Sequence, residues 1–271
     1  MLWLGNPVRR FGYADDIALV AISTDFQSNC NQLQTDLQEA LSWGDSVGIT
    51  FDPAKSELLH FSRGREAANG PLPGVNAGTY SILEKPGPLR WLGVHFDHKL
   101  SFKQHVQILS SKALVVGNAL KSLGKTTRGV PPHLLQQAVN ACVLKKGYYG
   151  AETWWPGRFR QSSSGRISNC IEAHTQLLEK VAYSGARAIL PVYRTTPIAA
   201  LLKESQILPL EIQLNLISQT FAARTACLDP YHPIRKRATK IVRTKKPTSR
   251  FARWILALPQ AEAVNPIARP P

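Results

Sequence analysis

Two carboxylates stand side by side at Asp15 and Asp16, between apolar stretches in the run RRFGYADDIALVAIS, residues 9–23. Adjacent carboxylates in a tight turn repel one another, so their convergence is unfavourable unless a cation lies between them. Mg²⁺ is the natural remedy: it prefers hard oxygen ligands in an octahedron and usually takes one or two protein carboxylates, with water and substrate phosphates filling the rest. Such a site suits phosphoryl transfer, in which one ion activates an attacking hydroxyl and a second, roughly 3.5–4 Å away, steadies the leaving oxygen. That scheme needs carboxylates from more than one strand. Aspartate is also a turn former for purely local reasons, so the pair alone carries two readings.

The elements that must position this pair are legible in the pattern. Residues 8–11 and 17–22 are largely β-branched or apolar, and YADD between them is turn-compatible, which predicts a β-hairpin with both aspartates at or near its tip. Ser23, Thr24 and Asp25 are N-cap candidates for a following helix, whose Leu33, Leu37, Ala40 and Leu41 recur at three- and four-residue steps until Gly44 and Gly48. Strands are predicted at 56–61 (SELLHF) and 89–97 (LRWLGVHFD), with a Gly/Pro/Asn-rich loop over 63–78. Beyond Asp97 the pattern becomes helical, near 102–123, 132–147, 168–189, 196–204 and 210–228, punctuated by Pro131, Pro132, Pro191, Pro197 and Pro209. A mixed α/β piece therefore precedes a helical piece, with the boundary near residue 98. The tail from Asn265 reads as a linker.

Charge separates the two pieces further. Residues 1–120 carry 10 Lys+Arg and 11 Asp+Glu, whereas 121–271 carry 23 and 7, so a net −1 is followed by +16. Nucleic acid is the obvious partner for such asymmetry, because each cation set against a phosphate releases condensed counterions; solubility alone is the competing explanation. The stretch 234–253 holds nine cations and no acid and is expected to supply flexible phosphate contacts. No apolar run is long enough to cross a membrane and no secretory signal stands at the start, which predicts an intracellular chain. Cys30, Cys142, Cys170 and Cys227 lie far apart and read as reduced thiols, mostly core. His95, His98 and His105 lack a fourth ligand and make a poor metal set. Tyr148, Tyr149, Trp154 and Trp155 are open to two uses, base stacking or core packing.

FGYADDIALVA resembles the catalytic hairpin of reverse transcriptases, in which an aromatic residue, any residue and two aspartates sit between apolar strands. GITFDPAKSELLHF, residues 48–61, is similar to the next palm motif of non-LTR retrotransposon polymerases. LRWLGVHFDHKLSFKQHV resembles their primer-grip strand and the start of the thumb, and GAETWWPGR and GARAILPVYRTTPIAALLKESQILPLEIQL resemble the helical region that follows. The resemblance implies an α+β fold: a partial palm of β-hairpin, helix and short strands over 1–98, a helical thumb over 99–190, and a helical basic extension with a C-terminal linker over 191–271.

It also implies roles. Asp15 and Asp16 would hold two Mg²⁺ ions, Asp15 by the more direct contacts, and Tyr13 would lie against the primer end. Lys55 falls where a palm lysine approaches the incoming triphosphate, and a surface lysine is the alternative. Trp91, Leu92 and Gly93 fall at the primer grip, with core packing of Trp91 an equal contender. Lys103, Lys112, Lys121, Lys125 and Arg128 would track the backbone of a duplex of RNA template and DNA primer. The parent enzyme would use deoxynucleoside triphosphates and act in the nucleus; protein partners are not indicated. In this family a third palm carboxylate and the fingers precede the hairpin, whereas residues 1–14 contain no Asp or Glu, so this chain alone is expected not to polymerise DNA. A non-catalytic basic nucleic-acid-binding protein and a decayed transposon remnant are the alternatives.

Overall fold

The computed structural model describes residues 9–62, 72–77, 80–124, 128–157, 169–245 and 249–258. These fall into two compact units: the described residues up to Trp91 with His95–Leu100, and Leu92–Val94 with those from Ser101 onward.

In the first unit β1 (Arg10–Tyr13) and β2 (Asp16–Leu19) pair antiparallel, with Arg10 opposite Leu19, Phe11 opposite Ala18, Gly12 opposite Ile17 and Tyr13 opposite Asp16. Side chains alternate along a strand, so Arg10, Gly12, Ile17 and Leu19 share one face and Phe11, Tyr13, Asp16 and Ala18 the other. Helix α1 (Phe26–Val47) follows. Asp25 caps it by accepting from the Ser28 amide at 2.7 Å, and Gly48 ends it in the left-handed region at φ 74°. Cys30, Leu33 and Leu37 on α1 pack with Leu58, Val75 and Ile82. Val75 and Ile82 come from a second antiparallel pair, β3 (Val75–Ala77) and β4 (Tyr80–Ile82). Gln34 of α1 also accepts from the Asn76 amide of β3 at 2.6 Å.

Two strand expectations are corrected here. Residues 56–61 form no strand; Leu58 alone makes a parallel bridge to Glu84. The reason is visible at His60, whose backbone N–H donates to the Glu84 carboxylate at 3.2 Å and whose ring bonds the Pro73 carbonyl at 2.9 Å, so side chains replace a ladder. The span 89–97 is two strands, β5 (Leu89–Trp91) and β6 (Val94–Phe96), joined by a two-residue turn. The span 63–78, expected as loop, contains β3; residues 63–71 and 78 lie outside the described residues.

The second unit is helical. Helix α2 (Lys103–Lys121) packs on α6 (Asn169–Ile189), with buried Gly117 of α2 set against Ser184 of α6. A methyl group at Gly117 would sit 2.9 Å from the Ser184 hydroxyl, so a larger residue there would force Ser184 to shift. Between them the chain runs through α3 (Pro132–Ala138), a wider π turn over Val139–Leu144, α4 (Lys145–Gly147) and α5 (Ala151–Trp154). Helices α7 (Ile198–Glu204) and α8 (Leu210–Ala226) begin directly after Pro197 and Pro209. Proline carries no N–H and fixes φ near the helical value, so it suits these starts.

The basic stretch 234–253, expected to supply flexible contacts, is helical over most of its described residues, 246–248 lying outside them. It forms most of α9 (Pro233–Thr244) and the start of α10 (Arg250–Ala257). Ala238 and Ile241 of α9 and Ala252 and Ile255 of α10 are buried with Ala222 of α8. The Trp254 indole N–H donates to the Trp155 carbonyl at 3.2 Å, and Ser249 caps α10 by accepting from the Ala252 amide at 3.1 Å. Cys30 is buried, whereas Cys142 and Cys227 are exposed, so at most two of the four thiols are core; the Cys170 side chain lies outside those described. No helix among the described residues is long and apolar enough to cross a membrane.

Candidate active site

The hairpin register places Tyr13 directly opposite Asp16 and leaves Ala14 and Asp15 as the two-residue tip. Ala14 has φ 53°, and a positive φ at the first of two loop residues alone matches a type II′ turn, whose twist suits the flanking strands. An L-residue there costs roughly 1 kcal/mol relative to the right-handed region. Tyr13, Ala14, Asp15 and Asp16 are all exposed, Tyr13 by 66%. Neither aspartate makes an ion pair among the described residues.

What holds the hairpin is on its other face. Arg10 reaches α1, pairing with Asp36 at 2.5 Å and with Glu39 one turn on. The Arg10 and Asp36 side chains are only 11% and 5% exposed. Hydrogen bonds to Asp36 first, and then to Glu39, raise the guanidinium pKa and hold the group charged. No local motif marks these three residues. The available signal was a strand arginine facing inward, five residues before Asp15, with acids spaced i, i+3 on the next helix.

Lys55 does not join the hairpin through any bond among the described residues. It ends a short 3₁₀ turn, Pro53–Lys55, with its side chain 84% exposed, and pairs with Asp52 at 3.4 Å. Trp91 is half-buried, with its indole N–H enclosed and without an acceptor among the described residues. Leu92 and Gly93 both take positive φ, 47° and 81°, the pattern of a type I′ turn. Within the second unit the Tyr149 hydroxyl donates to the Leu92 carbonyl at 2.8 Å, and a Cβ added at Gly93 would lie 3.0 Å from the Tyr149 ring. Tyr149 thus braces this turn. Tyr148, Trp154 and Trp155 are buried core, so burial removes base stacking as their use.

The cations of α2 do not form one row. Lys103 and Lys121 are eighteen residues apart, about five helical turns, and share a flank; Lys112 lies halfway between, about two and a half turns from each, on the opposite flank. All three are exposed, as is Arg128, while Lys125 lies outside the described residues. The histidines have structural partners: the His98 ring contacts the His60 carbonyl at 3.1 Å and Glu84 at 3.2 Å, and buried His105 bonds the Tyr149 carbonyl at 2.9 Å.

Asp15 and Asp16 supply exposed hard oxygen donors in the number that Mg²⁺ commonly takes from protein. Among the described residues no group of three or more His, Cys, Asp or Glu side chains gathers to hold a metal. Two exposed carboxylates of this kind suit a hard cation whose remaining positions are filled by water or phosphate oxygens.

Over 167 residues, 60% of its length, the chain is 22% identical to the retrovirus-related Pol polyprotein from type-1 retrotransposable element R1 of Nasonia vitripennis. The match covers 49% of that protein, so the chain spans about half the length of the curated relative it matches. No family model and no solved structure matches. The similarity to a retrotransposon Pol polyprotein supports a retrotransposon-related origin for this chain.

Proposed function

We propose that this chain is the aspartate-hairpin and thumb portion of a retrotransposon reverse transcriptase, contributing metal-holding and primer-positioning groups to RNA-templated DNA synthesis. The observation that carries this reading is the hairpin itself: two exposed carboxylates, Asp15 in the two-residue tip and Asp16 at the start of β2, neither in an ion pair among the described residues, with an exposed tyrosine on the same face as Asp16. A nucleic-acid 3′ end laid on that face meets an aromatic surface and carboxylates together. Asp15 and Asp16 are the residues that would hold Mg²⁺, which supplies charge neutralisation to phosphates and lowers the pKa of a bound hydroxyl. Tyr13 orients the primer end, and the Arg10–Asp36–Glu39 anchor keeps the tip in one position, which matters because small misplacement of reacting groups is expensive. Lys55, exposed and paired with the exposed Asp52, would exchange that partner for a triphosphate. The Leu92–Gly93 turn, held by Tyr149, presents backbone groups suited to gripping a primer strand.

The test is metal binding followed by NMR with Mn²⁺ as a paramagnetic probe. Broadening centred on residues 13–16, abolished by Asp15→Asn with Asp16→Asn, is expected. Broadening confined to other residues would remove the basis for the proposal. Primer extension by the chain alone on a primed RNA template is expected to be absent, since two carboxylates from one hairpin do not complete a two-metal centre.

A further inference from the structure

Helix α9 carries a feature that the hairpin reading leaves unused. A shallow groove of about 470 Å³ runs along it, lined by Pro230, Arg235, Lys236, Thr239, Lys240 and Arg243. Arg235, Thr239 and Arg243 recur at four-residue steps, and Lys236 and Lys240 form a second row beside them, so donors repeat about every 6 Å along the helix. Arg235 is fixed by donating to the Leu228 carbonyl. At the N-terminal end Tyr231 is 80% exposed, with the Lys236 ammonium 5.4 Å from its ring centroid.

We infer that this groove is a binding site for single-stranded nucleic acid, with the cation rows on successive phosphates and Tyr231 stacking on a base. A charged face that merely solvates a helix usually interleaves acids with its cations, gaining from i, i+4 pairs. Residues 230–261 contain no Asp or Glu, exposed Asp229 stands just before the groove, and no cation of α9 makes an ion pair among the described residues. A lipid surface is the less suitable polyanion. Insertion needs a continuous free apolar face, and on α9 Ala238 and Ile241 are buried against Ala222, Ala252 and Ile255, leaving Ile234 and Val242, eight residues apart, as its exposed apolar side chains. An exposed tyrosine beside cations matches the combination that holds single strands, where every base offers a π-face. The site shares no residue with the hairpin or α2, so it stands or falls separately from the metal-binding proposal.

The experiment measures anisotropy of a fluorescein-labelled single-stranded RNA titrated with the full chain across a salt series. The variant Lys236→Gln/Lys240→Gln/Arg243→Gln is compared with Lys145→Gln/Lys146→Gln/Lys203→Gln, an equal charge loss at exposed positions elsewhere. The α9 variant is expected to bind at least tenfold more weakly and to flatten the log–log salt slope by about 2, at roughly 0.7 per phosphate contact. The comparison variant is expected to lose much less. Tyr231→Ala is expected to weaken binding about tenfold and Tyr231→Phe to retain it, as stacking requires. All these side chains are exposed, so circular dichroism melts are expected to be unchanged. Single-stranded DNA of the same sequence is expected to bind comparably, since phosphates and a stacked base do not report the sugar. Equal losses from both triple variants, tighter binding to duplex than to single strands, or binding to phosphatidylserine–phosphatidylcholine vesicles without binding to oligonucleotides would each overturn the assignment.

Discussion

Two residues at the candidate site hold conformations that their side chains disfavour. Ala14 at the hairpin tip and Leu92 in the type I′ turn take φ of 53° and 47°, where glycine or asparagine is the unstrained choice. Such strain persists where surroundings over-determine it, and it tends to gather at working sites. Ala14→Gly and Leu92→Asn are therefore expected to leave stability unchanged or raise it by up to about 1 kcal/mol in urea denaturation, because relief of strain outweighs the added freedom of the unfolded chain. A clear loss of stability in both would show that these φ values carry no strain. Removal of the hairpin anchor acts in the opposite direction. Asp36→Ala leaves Arg10 inward without its main partner, and breaking such a pair costs about 3–5 kcal/mol, somewhat less here because Glu39 remains. Urea denaturation would register that loss, and hydrogen exchange would localise it to β1, β2 and α1.

Elements were legible in proportion to how regularly their apolar residues repeat. Helices α1, α2, α6, α7 and α8 fall where the three- and four-residue spacing and the prolines placed them, and the hairpin stands around YADD. The short strands β3 and β4 were not legible, since three residues hold too little alternation to register a period. Helix α9 was hidden by its own charge: only Ala238 and Ile241 face the core, amid five cations. At the site the aspartates were visible as a motif, but the anchor joining Arg10 to α1 and the brace from Tyr149 to Leu92 are long-range pairings that no local pattern encodes. The bond that fixes Tyr149 from the other side gives α2 a dependence on pH. Burial disfavours the imidazolium of His105 and pushes its pKa below the ordinary 6.5, partly offset by the Tyr149 carbonyl. Above 6.5 the ring is neutral in both states and its contribution to stability is complete. As pH falls below 6.5 the unfolded chain takes up a proton that the folded one refuses, so stability declines by at most about 1.4 kcal/mol per pH unit until the folded pKa is reached. Melting temperatures between pH 7 and 5.5 are expected to fall in the parent and to flatten in His105→Gln; parallel curves would refute the linkage.

At the scale of the molecule, the formal charge of +15 and pI near 9.9 make association with any polyanion steep in salt. Affinity for an RNA–DNA hybrid is expected to drop by orders of magnitude between low and physiological ionic strength. A salt-independent affinity would mean that phosphates are not what the chain contacts. Thermal stability is expected to rise with added hybrid at low salt, by mass action on the folded state, and to lose that gain as salt is added.

Among the described residues every sheet is a ribbon of two strands. Such a ribbon offers backbone donors and acceptors along both outer margins, and β1–β2 adds the exposed Phe11 and Tyr13 to one side. Margins of this kind are templates on which a further strand, from the same chain or from another, completes a wider sheet. A short strand-forming peptide supplied in trans is expected to lower light scattering by the chain at high concentration; no change would show that the ribbon margins are already covered.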